Sequence, residues 1–405
     1  MEDQFDIIVV GGGIVGLATA YQFTKTYPNK TIALIEKEDH LGGHQTGHNS
    51  GVLHSGLYYK PGSKKAILCL EGKEEMVAFA KEHNIPHDIC GKIIVATEVK
   101  ELANLEKIYA NGVANATPGI EKIDTKRIKE IEPFCEGIAG IWVPSSGIIN
   151  YRAVSDKLGE LILQQNSKNK IFLSEECKKI SQQESISTIT TNKKTLQAKI
   201  VVACAGLHCD RIATKDNLKI NMKIVPFRGD YYELSEKGKN KVRNLIYPVP
   251  DPDFPFLGVH FTRMIDGSIE CGPNAVFSFK REGYSRTAFS LRDAVESLTY
   301  KGLWILFSRH WKQGIEEYKR AFSKRLFLKS LQKLVPSLEL NDIQPARAGV
   351  RAQALDNKGD MIIDFRIEFN KNHIHVLNAP SPAATASLSI GRYIVAEIQK
   401  KKLIE

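Results

Sequence analysis

The chain has 405 residues, more than one average domain holds, so two lobes are expected. Apolar residues make up 42% and charged residues 25%, which supports a packed core and excludes wholesale disorder. A net charge of +10 would suggest a polyanionic partner, but nine lysines and arginines fall between Lys301 and Lys333 against Glu316 and Glu317 alone, so the excess is local and no nucleic-acid partner is expected.

The acidic start Met1-Glu2-Asp3-Gln4 runs straight into the apolar stretch Phe5 to Val10, a pattern without a signal peptide, and no stretch is apolar for long enough to cross a bilayer. A cytoplasmic protein is therefore expected. Gly11, Gly13 and Gly16 follow at once, then Leu17-Ala18-Thr19-Ala20, and a second apolar run, Thr31 to Ile35, ends at Glu36. That order reads as strand, tight turn, helix, strand, acid. A dinucleotide needs each part: one glycine for the turn, one for close approach to the pyrophosphate, one for helix–strand packing, and an acid for a ribose hydroxyl. The helix N-terminus offers free N–H groups to the phosphates. Lys37 and Thr46 adjoin this set. FAD and NAD share the fingerprint, and its place at the head of the chain follows the habit of FAD proteins.

The segment Gly42 to Gly51 is too rich in glycine and small polar residues for helix or strand. Helical spacing predicts a helix over Lys64 to His83, a strand over Lys92 to Thr97, a polar helix over Val99 to Asn115 and a helix over Tyr151 to Gln165. Ile171 to Ala203 alternates like a ribbon of strands and ends in a buried strand running into Cys204-Ala205-Gly206. Residues 215 to 280 carry strand signals broken by proline turns such as Tyr247 to Pro252. Ile374 to Ala386 reads as strand, loop and helix start, and the helix Ser387 to Lys400 follows. The seven cysteines form no Cys-x-x-Cys pair, so reduced thiols and no metal site are expected. The fold class is therefore α/β: a discontinuous Rossmann-like cofactor domain over 1–85, 145–212 and 340–405, and an α+β substrate domain on an antiparallel sheet over 86–144 and 213–339.

Longer strings carry a resemblance. His44 to Tyr59, Arg228-Gly229-Asp230-Tyr231-Tyr232, Gly258-Val259-His260-Phe261-Thr262, Gly272-Pro273-Asn274-Ala275 and Pro345 to Gln353 together resemble the L-2-hydroxyglutarate dehydrogenase family of the FAD-dependent, D-amino-acid-oxidase-like superfamily. The resemblance covers essentially the whole chain. It implies FAD as cofactor, oxidation of a dicarboxylic 2-hydroxy acid to 2-oxoglutarate, and electron transfer to a membrane quinone. It also places Ser50, Gly51, Ala205, Gly206, Ala383, Ala384 and Thr385 beside the FAD, with a helix beginning near Thr385 able to stabilise negative charge on the reduced ring.

Such a reaction needs a base for the hydroxyl proton and a cation for the carboxylate. Histidine suits the first because its pKa lies near working pH. His260 is the favoured base, with His54 as a flavin-contacting residue or alternative base. Arginine suits the second because its fork meets a carboxylate with two parallel bonds. Arg351 is the first choice; Arg347, Arg228 and Arg263 are further candidates, with Arg347 equally an interdomain ion pair. Tyr58 and Tyr59 would bond a carboxylate or cover the ring. The rivals are an oxidase of amino acids, a glycerol-3-phosphate dehydrogenase, and a non-catalytic flavin-fold protein that binds membranes or polyanions.

The basic segment 301–333 also carries Trp304, Phe307, Trp311, Ile315, Tyr318, Phe322 and Leu326 at intervals of three and four. Read as one helix, these draw an aromatic stripe that would lie on an anionic bilayer, giving peripheral attachment at the cytoplasmic face of the cell membrane. Alternatively the stripe packs on the substrate domain and the charges are solvated.

Overall fold

The computed structural model describes residues 3–251 and 258–404; Met1, Glu2 and Pro252 of the readings above lie outside the described residues. The strand Asp3–Val10 is buried from Ile7 onward because it is covered on both faces, as parallel strands are. It pairs in parallel with Thr195–Ala203 on one side and Ile32–Ile35 on the other. Lys170–Phe172 adds beyond Ile32–Ile35, and His373–Asn378 joins the far half of Thr195–Ala203, again in parallel. The alternating ribbon forms the antiparallel strands Cys177–Gln183 and Ile186–Thr191 at the near half. One eight-stranded sheet is thus drawn from early, middle and late parts of the chain. The helices Ile14–Thr26, Lys64–Glu82, Tyr151–Gln165 and Ser387–Lys400 cover it, with Leu17, Phe23, Met76, Leu158 and Ile394 in the shared core.

A second, nine-stranded and mainly antiparallel sheet holds Met222–Leu234, Leu245–Pro248, His260–Arg263, Ile269–Gly272 and Lys92–Ala96 at its centre. The expected cofactor segment 340–405 needs correction here. Ile343–Asp356 pairs along nearly the whole of Met222–Leu234, so the string that carries Arg347 and Arg351 belongs to the substrate sheet. A small sheet of Val52–Leu53, Gly147–Ile149 and His87–Asp88 lies apart from both.

The basic segment is two helices rather than one. Lys301–Phe322 is kinked at His310, whose φ of −123° and ψ of 26° are not helical, and Lys324–Leu331 follows. Leu303 and Leu306 pack with Phe227 and Phe277, while Phe327, Leu328 and Leu331 enter the core beside Tyr232. Of the expected stripe, Phe307 turns inward against Phe277. Trp304, Trp311, Ile315, Tyr318, Phe322 and Leu326 remain exposed, Phe322 at 70%. No helix is long and apolar enough to cross a membrane among the described residues.

Candidate active site

The glycine turn works as the sequence order requires, with a different task at each position. Gly11 has φ +112°, and a Cβ there would meet the Cys204 carbonyl oxygen at 2.3 Å. A Cβ on Gly16 would meet the Gly11 carbonyl oxygen at 2.0 Å, so this glycine serves helix–strand packing and does not line the cavity. Gly13 differs: its Cβ would come no nearer to protein than 3.5 Å, from the Thr46 hydroxyl. Its bare backbone borders the cavity, a cradle that a side chain would fill.

That cavity, of about 860 Å³, runs from the glycine turn to the substrate sheet. It sits at the upper end of the range for small-molecule sites, roughly 300–1,000 Å³. Gly11, Gly13, Glu36, Lys37 and Thr46 line one end. Thr46 accepts the Ile14 N–H at 3.0 Å, and Glu36 accepts the Gly12 N–H at 2.6 Å, which fixes turn and acid together. Ser50, Ala205, Gly206, Ala383, Ala384 and Thr385 line the cavity as well. Gly51 is not in the lining; its φ of +65° makes a bend whose carbonyl oxygen accepts the Ile149 N–H, which sets the chain path beside Ser50. Thr385 lies ahead of the helix Ser387–Lys400, and its hydroxyl is within hydrogen-bond distance of the His54 N–H, the Tyr151 hydroxyl and the Val52 carbonyl.

A band of residues around Lys37 covers this end, and the sequence reading missed Glu38, Glu282 and Tyr284 in it. Lys37 lies 2.6 Å from both Glu38 and Glu282 and 2.8 Å from His44. Burial alone would lower its pKa, but the two carboxylates raise it. The ligating atoms of Glu38, His44 and Glu282 lie within 4.8 Å of one another, and the Lys37 ammonium is the cation among them. Tyr284 stacks on His48 at 4.0 Å and bonds His44, so the turn around Glu282 straps the substrate domain onto the Gly42–Gly51 loop.

At the other end, His54, His260, Tyr58, Tyr59 and Arg351 share the wall. Burial, then the charges of Lys92 and Lys65, push His54 down to about 3. His260 is held at about 4 by burial, with Lys92 and Arg351 adding to it against a bond to the backbone of Gly258. That bond, 2.9 Å from Nδ1 to a carbonyl oxygen, requires Nδ1 to carry the proton and leaves the lone pair on Nε2. The His260 ring lies against Tyr247, tilted by 32° with centroids 4.1 Å apart, and His54 Nε2 lies 3.4 Å from the Ser381 hydroxyl. Arg351 keeps an open face on the cavity although protein surrounds it, and that desolvation lowers its pKa. Among the described residues the buried Tyr58 hydroxyl has no hydrogen-bond partner, an orphan that a ligand would satisfy.

Three arginine assignments change. Arg347 leaves the cavity and instead joins Glu270 at 2.6 Å to the carbonyl oxygens of Gly47 and Asn49, both at 2.8 Å. It lies where the register of Ile343–Asp356 against Met222–Leu234 slips, and the slip re-aims its side chain. Arg228 borders the cavity, but its guanidinium is committed to Asp230 at 2.9 Å and to the Ser285 carbonyl at 2.8 Å. Arg263 pairs with Asp88 outside the cavity. Two lysines take their place. Lys65 lines the wall and Lys92 lies behind it, 4.9 Å from the Tyr58 ring and 5.0 Å from the Tyr247 ring. Burial lowers each lysine to about 8. Lys92 had a visible signal, a charge at the head of an apolar strand; Lys65 had none, because a lysine in a helix ordinarily reads as solvated.

Comparison with known proteins identifies similar chains. The chain is 46% identical over 389 residues to L-2-hydroxyglutarate dehydrogenase of Indibacter alkaliphilus, covering 96% of this chain and 97% of that one. It is 42% identical to the Escherichia coli K12 protein of the same name over 98% and 93% of the two chains. Among solved structures it is similar to L-alpha-glycerophosphate oxidase of Mycoplasma pneumoniae with FAD bound, at TM-score 0.79 and 22% identity, covering 98% and 95% of the chains. Glycine oxidase of Geobacillus kaustophilus follows at TM-score 0.74 and 15% identity, covering 98% and 95%. Residues 6–397 match the FAD dependent oxidoreductase family, and the chain belongs to it: an FAD-using enzyme whose glycine turn and open Gly13 face fit that cofactor.

Proposed function

We propose that the protein oxidises L-2-hydroxyglutarate to 2-oxoglutarate and passes the electrons to a membrane quinone. The observation that carries this reading is the meeting of two neutral histidines and the Arg351 guanidinium in the cavity that starts at the glycine turn. The identity with dehydrogenases of that name supports the substrate. Gly11, Gly13, Glu36, Lys37, Thr46, Ser50, Ala205, Gly206, Ala383, Ala384 and Thr385 hold FAD, with Gly16 packing the turn. FAD, when bound, would supply the two-electron oxidising capacity that loss of the C2 hydrogen requires.

Arg351 holds the C1 carboxylate with its fork and so fixes which face of C2 is presented. A neutral histidine of the His54–His260 pair accepts the hydroxyl proton; the Nε2 lone pair of His260 is set by its bond to Gly258, and Thr385 fixes the backbone at His54. A base held near 3 or 4 is weak in the free protein. A dianion entering among Lys65, Lys92 and Arg351 offsets the charges that depress it, so the base strengthens when substrate is bound. Tyr58 and Tyr59 close the wall, and the orphan Tyr58 hydroxyl donates to the substrate.

The exposed row of Trp304, Trp311, Ile315, Phe322 and Leu326 among basic residues supports peripheral contact with an anionic membrane at its cytoplasmic face, where a quinone is met. Turnover of the flavin-loaded protein with an artificial acceptor tests the substrate. L-2-hydroxyglutarate should give 2-oxoglutarate, while glycine, proline and L-alpha-glycerophosphate should give none. Faster turnover of any of those three would overturn the assignment.

A further inference from the structure

We infer that Lys65 is the counter-ion for the second carboxylate of the substrate, and therefore the residue that selects a dicarboxylate over a monocarboxylate; the inference rests on the reading above. Lys65 lies in the first turn of Lys64–Glu82 and lines the histidine end of the cavity. Its ammonium is held in place without being neutralised: it donates to the Ile363 carbonyl at 3.2 Å and lies 4.9 Å from the Tyr59 ring. The nearby carboxylate of Asp364 does not pair with it but accepts the backbone N–H of Lys65 at 3.1 Å. Among the described residues no acidic side chain forms an ion pair with this ammonium.

The charge around the cavity is divided. Its lining acids are Glu36, Glu175, Glu176 and Glu282, and their bonds run to the glycine-turn lobe: Glu36 to Gly12, Glu175 to Thr191, Glu176 to Lys178 and Glu282 to Lys37. At the histidine end the lining cations are Lys65 and Arg351, which repel each other, with Lys92 behind Tyr58. A lysine ammonium in a partly desolvated pocket, without an ion-pair partner among the described residues, is favourable only with an anion beside it. One carboxylate engages the Arg351 fork; the other then meets Lys65, whose ring neighbour Tyr59 carries no charge and whose nearby Asp364 attracts it without forming an ion pair.

Binding of unreactive acids to the oxidised holoenzyme, followed by the change in flavin absorbance, tests this without turnover. Glutarate should bind the unchanged protein about 10- to 100-fold more tightly than butyrate, the range of one charge-assisted contact. Lys65→Met should weaken glutarate by that factor and leave butyrate unchanged, whereas Lys65→Arg should keep most of the preference. Equal weakening of both acids, or unchanged glutarate binding, would overturn the assignment. If glutarate preference and its loss in Lys65→Met are seen but L-2-hydroxyglutarate fails to reduce the flavin, the Lys65 assignment stands and the hydroxy-acid reading falls.

Discussion

Lys92 shows how one buried charge sets the chemistry of its neighbours. It is 1% exposed, lies against two tyrosine rings, and depresses both His54 and His260. The two histidines stay neutral above about pH 4, so flavin reduction should not lose its base until the medium is more acid than that. Removing the charge in Lys92→Met should move the acid limb of the reduction rate upward by about one pH unit. An unmoved limb would show that Lys92 does not act on the base. The same shifts bear on stability. Both folded pKa values lie below the ordinary 6.5, so the unfolded chain binds more protons as pH falls, and stability should drop progressively from about pH 6.5 toward 4. Denaturant midpoints at pH 7 and pH 5 would reveal this, with a smaller difference in a His54→Gln/His260→Gln protein. The type of residue needed was legible in the sequence, and so were His54, His260 and Arg351. Lys65 was not, and Lys92 showed only as a charge at the head of an apolar strand, because what distinguishes both is desolvation, which is not a local property.

Among elements, the turn that opens the chain allows two functions of glycine to be separated. Gly13→Ala places a methyl in open space beside Thr46, so the apoprotein should fold normally while FAD binding weakens by at least about tenfold. Gly16→Ala drives a methyl into the Gly11 carbonyl and should destabilise the fold itself by about 3 kcal/mol. Comparing melting and FAD titration for the two separates these effects; identical behaviour would contradict the division of roles. The exposed stripe belongs to this scale too. Replacing Trp304, Trp311 and Phe322 together by Ser should leave stability within about 1.5 kcal/mol, roughly 0.5 for each exposed side chain, yet abolish co-sedimentation with anionic vesicles. Retained sedimentation would remove the membrane role. The sequence period marked the stripe correctly except at Phe307. It could not mark the break at His310, where neither Pro nor Gly stands and the helix turns to pack on the substrate sheet.

For the whole molecule, the informative difference lies in Ile343–Asp356. Its local pattern reads as a strand, but membership in the substrate sheet depends on pairing with residues more than a hundred positions earlier. The glycine turn and Glu36 were readable because strand, turn, helix, strand and acid follow one another in sequence, although the turn also packs on Cys204. The same long-range pairing explains Arg347, which ties the substrate sheet through Glu270 to the cofactor-side loop at Gly47 and Asn49. Arg347→Met should lower stability by about 1–3 kcal/mol, because it strands a buried Glu270 and two carbonyls, while leaving substrate affinity nearly unchanged. A large rise in KM without a stability loss would restore it to the substrate site.

The most direct measurement mixes the FAD-loaded protein with L-2-hydroxyglutarate in the absence of oxygen and follows the visible flavin band. The band should bleach with formation of one 2-oxoglutarate per flavin, and Arg351→Met should bleach only at far higher substrate concentration. A band that persists with L-2-hydroxyglutarate, or an Arg351→Met protein that bleaches as readily as the unchanged one, would contradict the account.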